Sequence, residues 1–467
     1  MRVLLVSTYE LGRQPVHIAS PAAALAAAGV DVASIDLAVE EWDMSLLDGV
    51  DAVAFSVPMH TAMRLAVPIA RELRGQRPGI PIAFYGLYAG VGKDQVLGVA
   101  DSVLVGEYEP DLVEWALAVA AGSRRVGMSQ STGRSGFHTP ARSDLPWHDN
   151  YARLEWMGEA RLAAAVEASH GCRHRCRHCP IPVVYDGRMR VVGADSVMAD
   201  LDQLASDGIQ HVTFGDPDFL NAPRYSMDLL RKAHRAHPGL TFDLTVKVEH
   251  VLAHRALWPE MADLGVLFVV SAFESTDDVT LAILDKNHSS ADMSEAVAVL
   301  RSSGIHVRPT WLPFFPWTRP RDVAGIVEFI DGHRLWAATD PVQLAIRLLI
   351  PEGSLLENHP AVVPHLTGYR PASLTWSWEF EDPTSEHLYG ELEAIAAEAS
   401  DCGAEAGETL HRMRETIGDF AKVELAPMPS SPPAPRLTES WFCCAEPTDR
   451  QAATVGLTIG RVPLASA

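Results

Sequence analysis

Across residues 1–125, apolar positions fall in short blocks set apart by helix-length stretches. "RVLLVST", "VDVASIDL", "DAVAFSVP", "IPIAFYG" and "DSVLVGEY" have the length and composition of buried strands. Between them, "QPVHIASPAAALAAAG" reads as an Ala-rich helix closed by Gly29, and "TAMRLAVPIARELRG" as a second helix. Continuous apolar strands alternating with helices predict a parallel, doubly wound α/β sheet. Ligands of such sheets bind outside the carboxyl ends of the strands, which singles out loops 7–12, 56–60, 86–92 and 106–109.

Residues 126–160 lose this rhythm. They are rich in Ser, Gly and Pro ("GMSQSTGRSGFHTPARSDLP") and read as a linker wrapping between domains. Residues 161–365 resume it. "RLAAAVEAS", "HVTFGD", "TFDLTVKV", "LFVVSAF", "HVRPTWLPFF" and "PVQLAIRLLI" are strand candidates, with Gly-closed helices such as "ADSVMADLDQLASDG" between them. Six strand–helix units predict a partial (β/α)6 barrel, with its working residues at the strand ends. Residues 366–467 form a C-terminal extension. It holds polar helices, then "APMPSSPPAPRLTES", a proline-rich extended arm, and then "WFCCAEP".

Composition narrows the picture. The 467 residues allow two or three domains, and a net charge of −22 argues against a nucleic-acid partner. No stretch reads as a membrane span or secretory leader, so a cytoplasmic protein is expected. There, clustered cysteines point to metal or redox chemistry rather than structural disulfides.

The chain has six cysteines. "SHGCRHRCRHCPIP" sets Cys172, Cys176 and Cys179 in a C-x3-C-x2-C array at the end of the first strand of the second domain. Three thiolates so spaced can hold three irons of a cubane cluster and leave the fourth open to a small N/O ligand. A structural zinc site completed by His174 or His178 is the alternative.

This array at the first strand of a partial barrel resembles the radical S-adenosylmethionine (SAM) superfamily, with His178 in the aromatic slot before the last cysteine. The resemblance implies a [4Fe-4S] cluster and reductive cleavage of SAM to a 5′-deoxyadenosyl radical. An external electron donor such as flavodoxin or ferredoxin is implied as well. It places Gly215 with Asp216 or Asp218 of "TFGDPDFLN" at the SAM amine, departing from the commoner Gly-Gly-Glu form. Ser271 and Glu274 of "SAFESTDD" would then face the ribose or methionine part. Lys247, Arg308 and Arg347 near strand ends are candidates to neutralise carboxylates.

The doubly wound domain ahead of the barrel resembles the Rossmann-like cobalamin (B12)-binding domains of B12-dependent radical SAM enzymes. The likeness lies in layout, in "YGLYAGVGKD" and in "GEYEP", and implies cobalamin contacts near Ser56, Gly86 and Gly90. The first loop lacks the Asp-x-His-x-x-Gly signature of a cobalt-ligating histidine. A methyltransferase-like reaction on a small molecule is the implied chemistry.

Cys443 and Cys444 are adjacent. Neighbouring Cα atoms lie about 3.8 Å apart, below the usual disulfide span, so a bond between them is strained and easily reduced. As thiolates they make a soft bidentate site. "CCAEP" resembles the CUAEP/CCAEP-tail radical SAM family, some of whose members carry selenocysteine at the position of Cys444. That implies reactive chemistry at the pair, redox or toward a metalloid (arsenic or selenium) substrate without cobalamin. A non-catalytic Fe–S redox sensor is the third reading. Cys402 reads as a bystander on a polar helix.

Overall fold

Strand β1 (Arg2–Ser7) is central to the first sheet, between β2 (Asp31–Asp36) and β3 (Ala52–Ser56). Beyond β3 lie β4 (Ile82–Tyr85), β5 (Ser102–Gly106) and β6 (Gly127–Ser131), all parallel, in the order β2-β1-β3-β4-β5-β6. The computed structural model describes residues 1–133 and 136–439. Successive side chains of a strand point to opposite faces. Val3 and Leu5 therefore pack under the helices Val16–Ala27 and Glu109–Ala120 with Ile18, Leu112 and Trp115. Leu4 and Val6 pack under the helix His60–Gln76 with Met63 and Ile69. The order reverses between β1 and β3, so their following loops diverge and leave a crevice at the carboxyl edge.

The sheet corrects the expected linker. β6 lies beyond residue 125, where composition placed the end of the domain. "GMSQS" has no β-branched residue, and as an edge strand it is buried on alternate positions only to a partial degree, so its sequence carried little strand signal.

The second sheet runs β14-β13-β12-β11-β8-β7-β17. Its parallel strands are β8 (Glu159–Val166), β11 (His211–Phe214), β12 (Thr241–Thr245), β13 (Val266–Glu274) and β14 (His306–Trp311). Two antiparallel strands, β7 (Arg153–Trp156) and β17 (Arg436–Leu437), extend its edge. Phe214, Phe242 and Val269 meet Leu201, Leu230 and Leu300 of the surrounding helices in the core. A short antiparallel pair, β9 (Ser169–Gly171) with β10 (Met189–Val191), brackets the cysteine loop, and β15 (Leu366–Arg370) pairs with β16 (Thr375–Trp378).

The sixth barrel strand expected in "PVQLAIRLLI" does not form. Pro341–Leu344 is a 3-10 turn, and one parallel bridge, Phe314 to Arg347, stands where a ladder was expected. The reason is local. Pro341 opens the turn, and the Gln343 side chain accepts the Trp311 N–H at 2.9 Å, a donor that a sixth strand would have used. The helices Pro383–Cys402 and Ala406–Ala421 instead add Leu388, Leu392, Leu410 and Met413 to the barrel core, so they are amphipathic rather than wholly polar. Cys402 ends the first of them, exposed.

The proline-rich arm is docked through residue 439. Arg308 donates to the Pro435 carbonyl at 3.1 Å, Arg436 and Leu437 pair with Glu155 and Leu154, and Tyr9 Oη donates to Glu439 at 2.9 Å. Among the described residues, no helix is long and apolar enough to cross a membrane.

Candidate active site

The cysteine loop opens at Gly171, whose φ of +72° only glycine adopts without strain; a Cβ there would lie 2.5 Å from the Arg188 carbonyl. This lets β9 turn back along β10 and release Cys172 into the interior. The loop therefore begins after β9, six positions past the end of β8, rather than directly on the barrel strand. Cys172 and Cys176 are buried, Cys179 partly so, and none of the three is in a disulfide. Asn221 Nδ2 donates to Cys172 Sγ at 3.4 Å. Burial pushes the Cys172 thiol up, so a lone thiolate there is disfavoured until a cation balances it.

These thiols line a cavity of about 310 Å³ where the carboxyl ends of both parallel sheets face each other. The barrel contributes the three cysteines, His178, Gly215, Asp216, Lys247 and Glu274; the first domain contributes Glu10, Leu11, Met59, Leu87, Tyr88 and Tyr108.

The expected site residues separate into those that reach this cavity and those that do not. Asp216 reaches it, accepting from the Ala168 N–H at 3.0 Å and from the Ser169 hydroxyl; burial raises its carboxyl to about 7. Asp218 does not line it. That side chain is fully buried beneath the cysteine loop and caps Leu220 N–H at 2.9 Å. Glu274 lines it, but its carboxylate is held by His178 Nε2 at 3.0 Å and Lys286 Nζ at 3.1 Å. Burial alone would raise Glu274; Lys286 and His178 outweigh it and bring the carboxyl down to about 2. Its backbone has φ +65°, beside an irregularity in the β13–β14 register, and its side chain faces the cavity.

Ser271 corrects its expected role. On β13, Val270, Ala272 and Glu274 face the cavity, so Ser271 points away, and its hydroxyl donates to the Val246 carbonyl at 2.7 Å. Ser56, Gly86 and Gly90 likewise flank the cavity rather than line it. Gly86 makes a tight turn at φ +117°, where a Cβ would meet the Val57 carbonyl at 3.0 Å. Gly90 packs near Val105. Their neighbours Met59, Leu87 and Tyr88 take the wall instead. Arg308 pairs with Asp340 at 2.5 Å, and Arg347 stacks over Trp378, both outside the main cavity. Cys443 and Cys444 lie outside the described residues.

Sequence reasoning missed a chain of ionisable groups that crosses between the domains. His17 Nδ1 lies 3.0 Å from Glu10, and its Nε2 lies 3.5 Å from Glu167. Glu167 continues to His170 at 3.3 Å, His170 to Glu107 at 3.2 Å, and Glu107 accepts from Tyr185 at 3.0 Å. Burial alone would lower His17; Glu167 and Glu10 outweigh it and raise the imidazole to about 9. Burial would raise Glu167, but His17 and His170 bring it to about 2. The signal available was the placement of Glu167 and His170 just before Cys172, and of Glu107 in "GEYEP"; their pairing depends on domain docking.

Comparison with known proteins agrees with this architecture. Residues 166–329 match the family model of the Radical SAM superfamily, so the barrel is a radical SAM domain. The Hopanoid C-2 methylase of Rhodopseudomonas palustris (strain TIE-1) is 27% identical over 182 residues, 37% of this chain. That match spans about a third (34%) of the methylase's own length. The fold is that of the radical SAM methyltransferase TsrM from Kitasatospora setae, solved with cobalamin and a [4Fe-4S] cluster (TM-score 0.56, 18% identity, 71% of this chain and 70% of that one). It is also that of the cobalamin-dependent SAM radical enzyme OxsB, solved with aqua-cobalamin and SAM (TM-score 0.66, 14% identity, 90% of this chain and 72% of that one).

Proposed function

We propose that this chain is a cobalamin-dependent radical SAM methyltransferase acting on a small molecule held in the interdomain cavity. One observation carries the reading: the three cysteines of a C-x3-C-x2-C loop line a cavity walled by the strand ends of both parallel sheets. Relatives in sequence and fold include methylating enzymes.

The residues fit the groups this chemistry needs. Cys172, Cys176 and Cys179 are a soft donor set for a [4Fe-4S] cluster, and leave one iron open to SAM. The crevice at the first sheet's switch point would hold cobalamin against Leu11, Met59, Leu87 and Tyr88, while His17 beside it is engaged by Glu10 and Glu167. When bound, the cluster with SAM supplies a 5′-deoxyadenosyl radical, and cobalamin supplies a transferable methyl group. The chain's own residues position and protect. Asp216, near neutrality in its titration, can hold or release a proton at its Oδ atoms beside Gly215. Lys286 and His178 keep Glu274 ionised and fixed against the cavity. The apolar wall of the first domain excludes water from the reacting centre. The electron comes from an external donor of the flavodoxin or ferredoxin class, in the reducing cytoplasm.

The test is anaerobic reconstitution with iron, sulfide and hydroxocobalamin, followed by metal counting and reduction with SAM. About four irons and one cobalt per chain, with 5′-deoxyadenosine released, is the expected result. A chain that forms no cluster and cleaves no SAM overturns the reading; a cluster without SAM cleavage points to a redox sensor instead.

A second reading is favoured by the docked arm. Glu439 reaches Tyr9 and, with Leu437, lines a small cavity that shares Leu11, Arg13, Val270 and Thr310 with the main one. Cys443 follows Glu439 by four positions in the sequence. In this reading the Cys443/Cys444 dithiol holds a metalloid substrate. Arsenite binding lost in Cys443→Ser and Cys444→Ser supports it; unchanged binding rejects it.

A further inference from the structure

At the cysteine loop, three side chains from separate elements converge; His174 also borders the main cavity, and Asp218 and His250 lie behind it. His174 belongs to the loop between Cys172 and Cys176, Asp218 to the turn after β11, and His250 to the helix Val248–Ala253. One ligand atom from each lies within 4.8 Å of the other two. We propose that His174, Asp218 and His250 form a site for one divalent transition-metal ion of the zinc or iron(II) class, distinct from the cysteine cluster.

The geometry favours an ion over a hydrogen-bonded triad. Asp218 is fully buried; its Oδ1 is occupied by Leu220 N–H at 2.9 Å, and its Oδ2 faces both imidazoles. His250 Nδ1 lies 2.9 Å from that oxygen and His174 Nε2 lies 3.7 Å from it. Both ring nitrogens are buried without a hydrogen-bond partner, His174 Nε2 because Asp218 is too distant and His250 Nδ1 because its N–H is not aligned with the oxygen. Two imidazoles thus gather beside one carboxylate oxygen, with ring centroids 4.6 Å apart and planes at 60°. Lys247 N–H, at 3.3 Å, also touches this oxygen. Two nitrogens and one carboxylate oxygen are a donor set for zinc or iron(II), with open positions left for water. Metal–ligand distances of about 2.0–2.2 Å place donors roughly 3–3.5 Å apart, so side-chain rotations of about an ångström close the site.

The surroundings are those of a ligand shell. Glu249 Oε2 lies 3.7 Å from His174 Nδ1, on the far side of the ring from Asp218, where an outer carboxylate orients a metal-bound histidine. The Lys247 ammonium, which opposes a cation here, is drawn to the same Glu249 at 3.4 Å. An ion so held ties the cysteine loop to the barrel through His174, independently of the thiols. The inference does not depend on methyl transfer being the reaction.

The test uses the full chain with its iron–sulfur cluster reconstituted, equilibrated with zinc and freed of excess by gel filtration. About one zinc per chain beyond the cluster irons is expected, with affinity roughly tenfold or more weaker in His250→Gln. Binding is expected to be unchanged in Cys443→Ser/Cys444→Ser, which removes the tail thiols. Zinc not retained by the unaltered chain, retained equally by His250→Gln, or lost in the tail variant overturns the proposal. Since His250→Gln alters a packed helix, a second measurement uses the unaltered chain. Cobalt(II) at this site is expected to show weak d–d bands without thiolate-to-cobalt charge transfer; a strong thiolate band overturns the assignment.

Discussion

Glu274→Gln removes the negative charge facing Lys286 at 3.1 Å, where the side chains are only 4% and 3% exposed. The carboxyl sits at about 2 rather than 4.5, which corresponds to about 3 kcal/mol of favourable interaction with the ionised form. That lies at the low end of the ~3–5 kcal/mol typical for breaking a buried pair by removing one partner. The sign follows from the depressed carboxyl: the contribution is complete above about 4.5 and is lost as pH falls through about 2. At pH 7 the variant is therefore expected to be less stable by about 3 kcal/mol, with the gap closing in acid. Native-state hydrogen exchange of the β13 and β14 amides in dilute urea isolates the barrel from the first domain. A cycle with Lys286→Met decides the cause. If the pair acts as described, the double variant recovers at least ~2 kcal/mol relative to the sum of the singles. Additive losses would refute the reasoning and reassign the effect to packing around the φ +65° backbone of Glu274.

Gly171→Ala places a methyl 2.5 Å from the Arg188 carbonyl at φ +72°, so β9 and β10 should separate, with ~1–3 kcal/mol of strain and reduced iron retention; full iron content would contradict this. Asn221→Leu removes the donor to Cys172 Sγ and should make the cluster potential more negative, read by a redox titration followed by electron paramagnetic resonance. The domain interface should weaken in alkali. His17, raised to about 9, contributes fully below about 6.5, and the contribution is lost as pH rises through about 9. Exchange protection of the Ser169 and His170 amides should fall over that range, and a flat profile would count against the network. Glu439, raised by burial to about 7, favours the docked arm below about 4.5 and loses that preference as pH rises through 7; tryptic cleavage after Arg436 should accelerate accordingly.

The strand blocks of the first domain and the cysteine array were legible because each is written in contiguous residues. A run such as Val3, Leu4, Leu5 and Val6 must be buried on both faces, and a thiol spacing of three and two is local chain geometry. The four loops at one sheet edge likewise follow from strand direction alone. The sixth barrel strand was misread because the same apolar pattern serves a turn as well as a strand. What separated them was Gln343 reaching Trp311, a contact between positions 32 apart.

Facing direction and docking were decided only in three dimensions. Ser271 and Glu274 share a strand, but pleat parity sends one outward and the other inward. Asp216 and Asp218 are two residues apart; the turn after β11 sends the first to the cavity and buries the second between two histidines. The chain from Glu10 to Tyr185 joins residues of both domains, and neither sequence segment contains its partner. By itself, the sequence determined which segments are buried and where a soft-metal loop lies, because burial period and ligand spacing are short-range properties. The tertiary structure alone decided which charges meet, since those pairings depend on how separately formed layers pack.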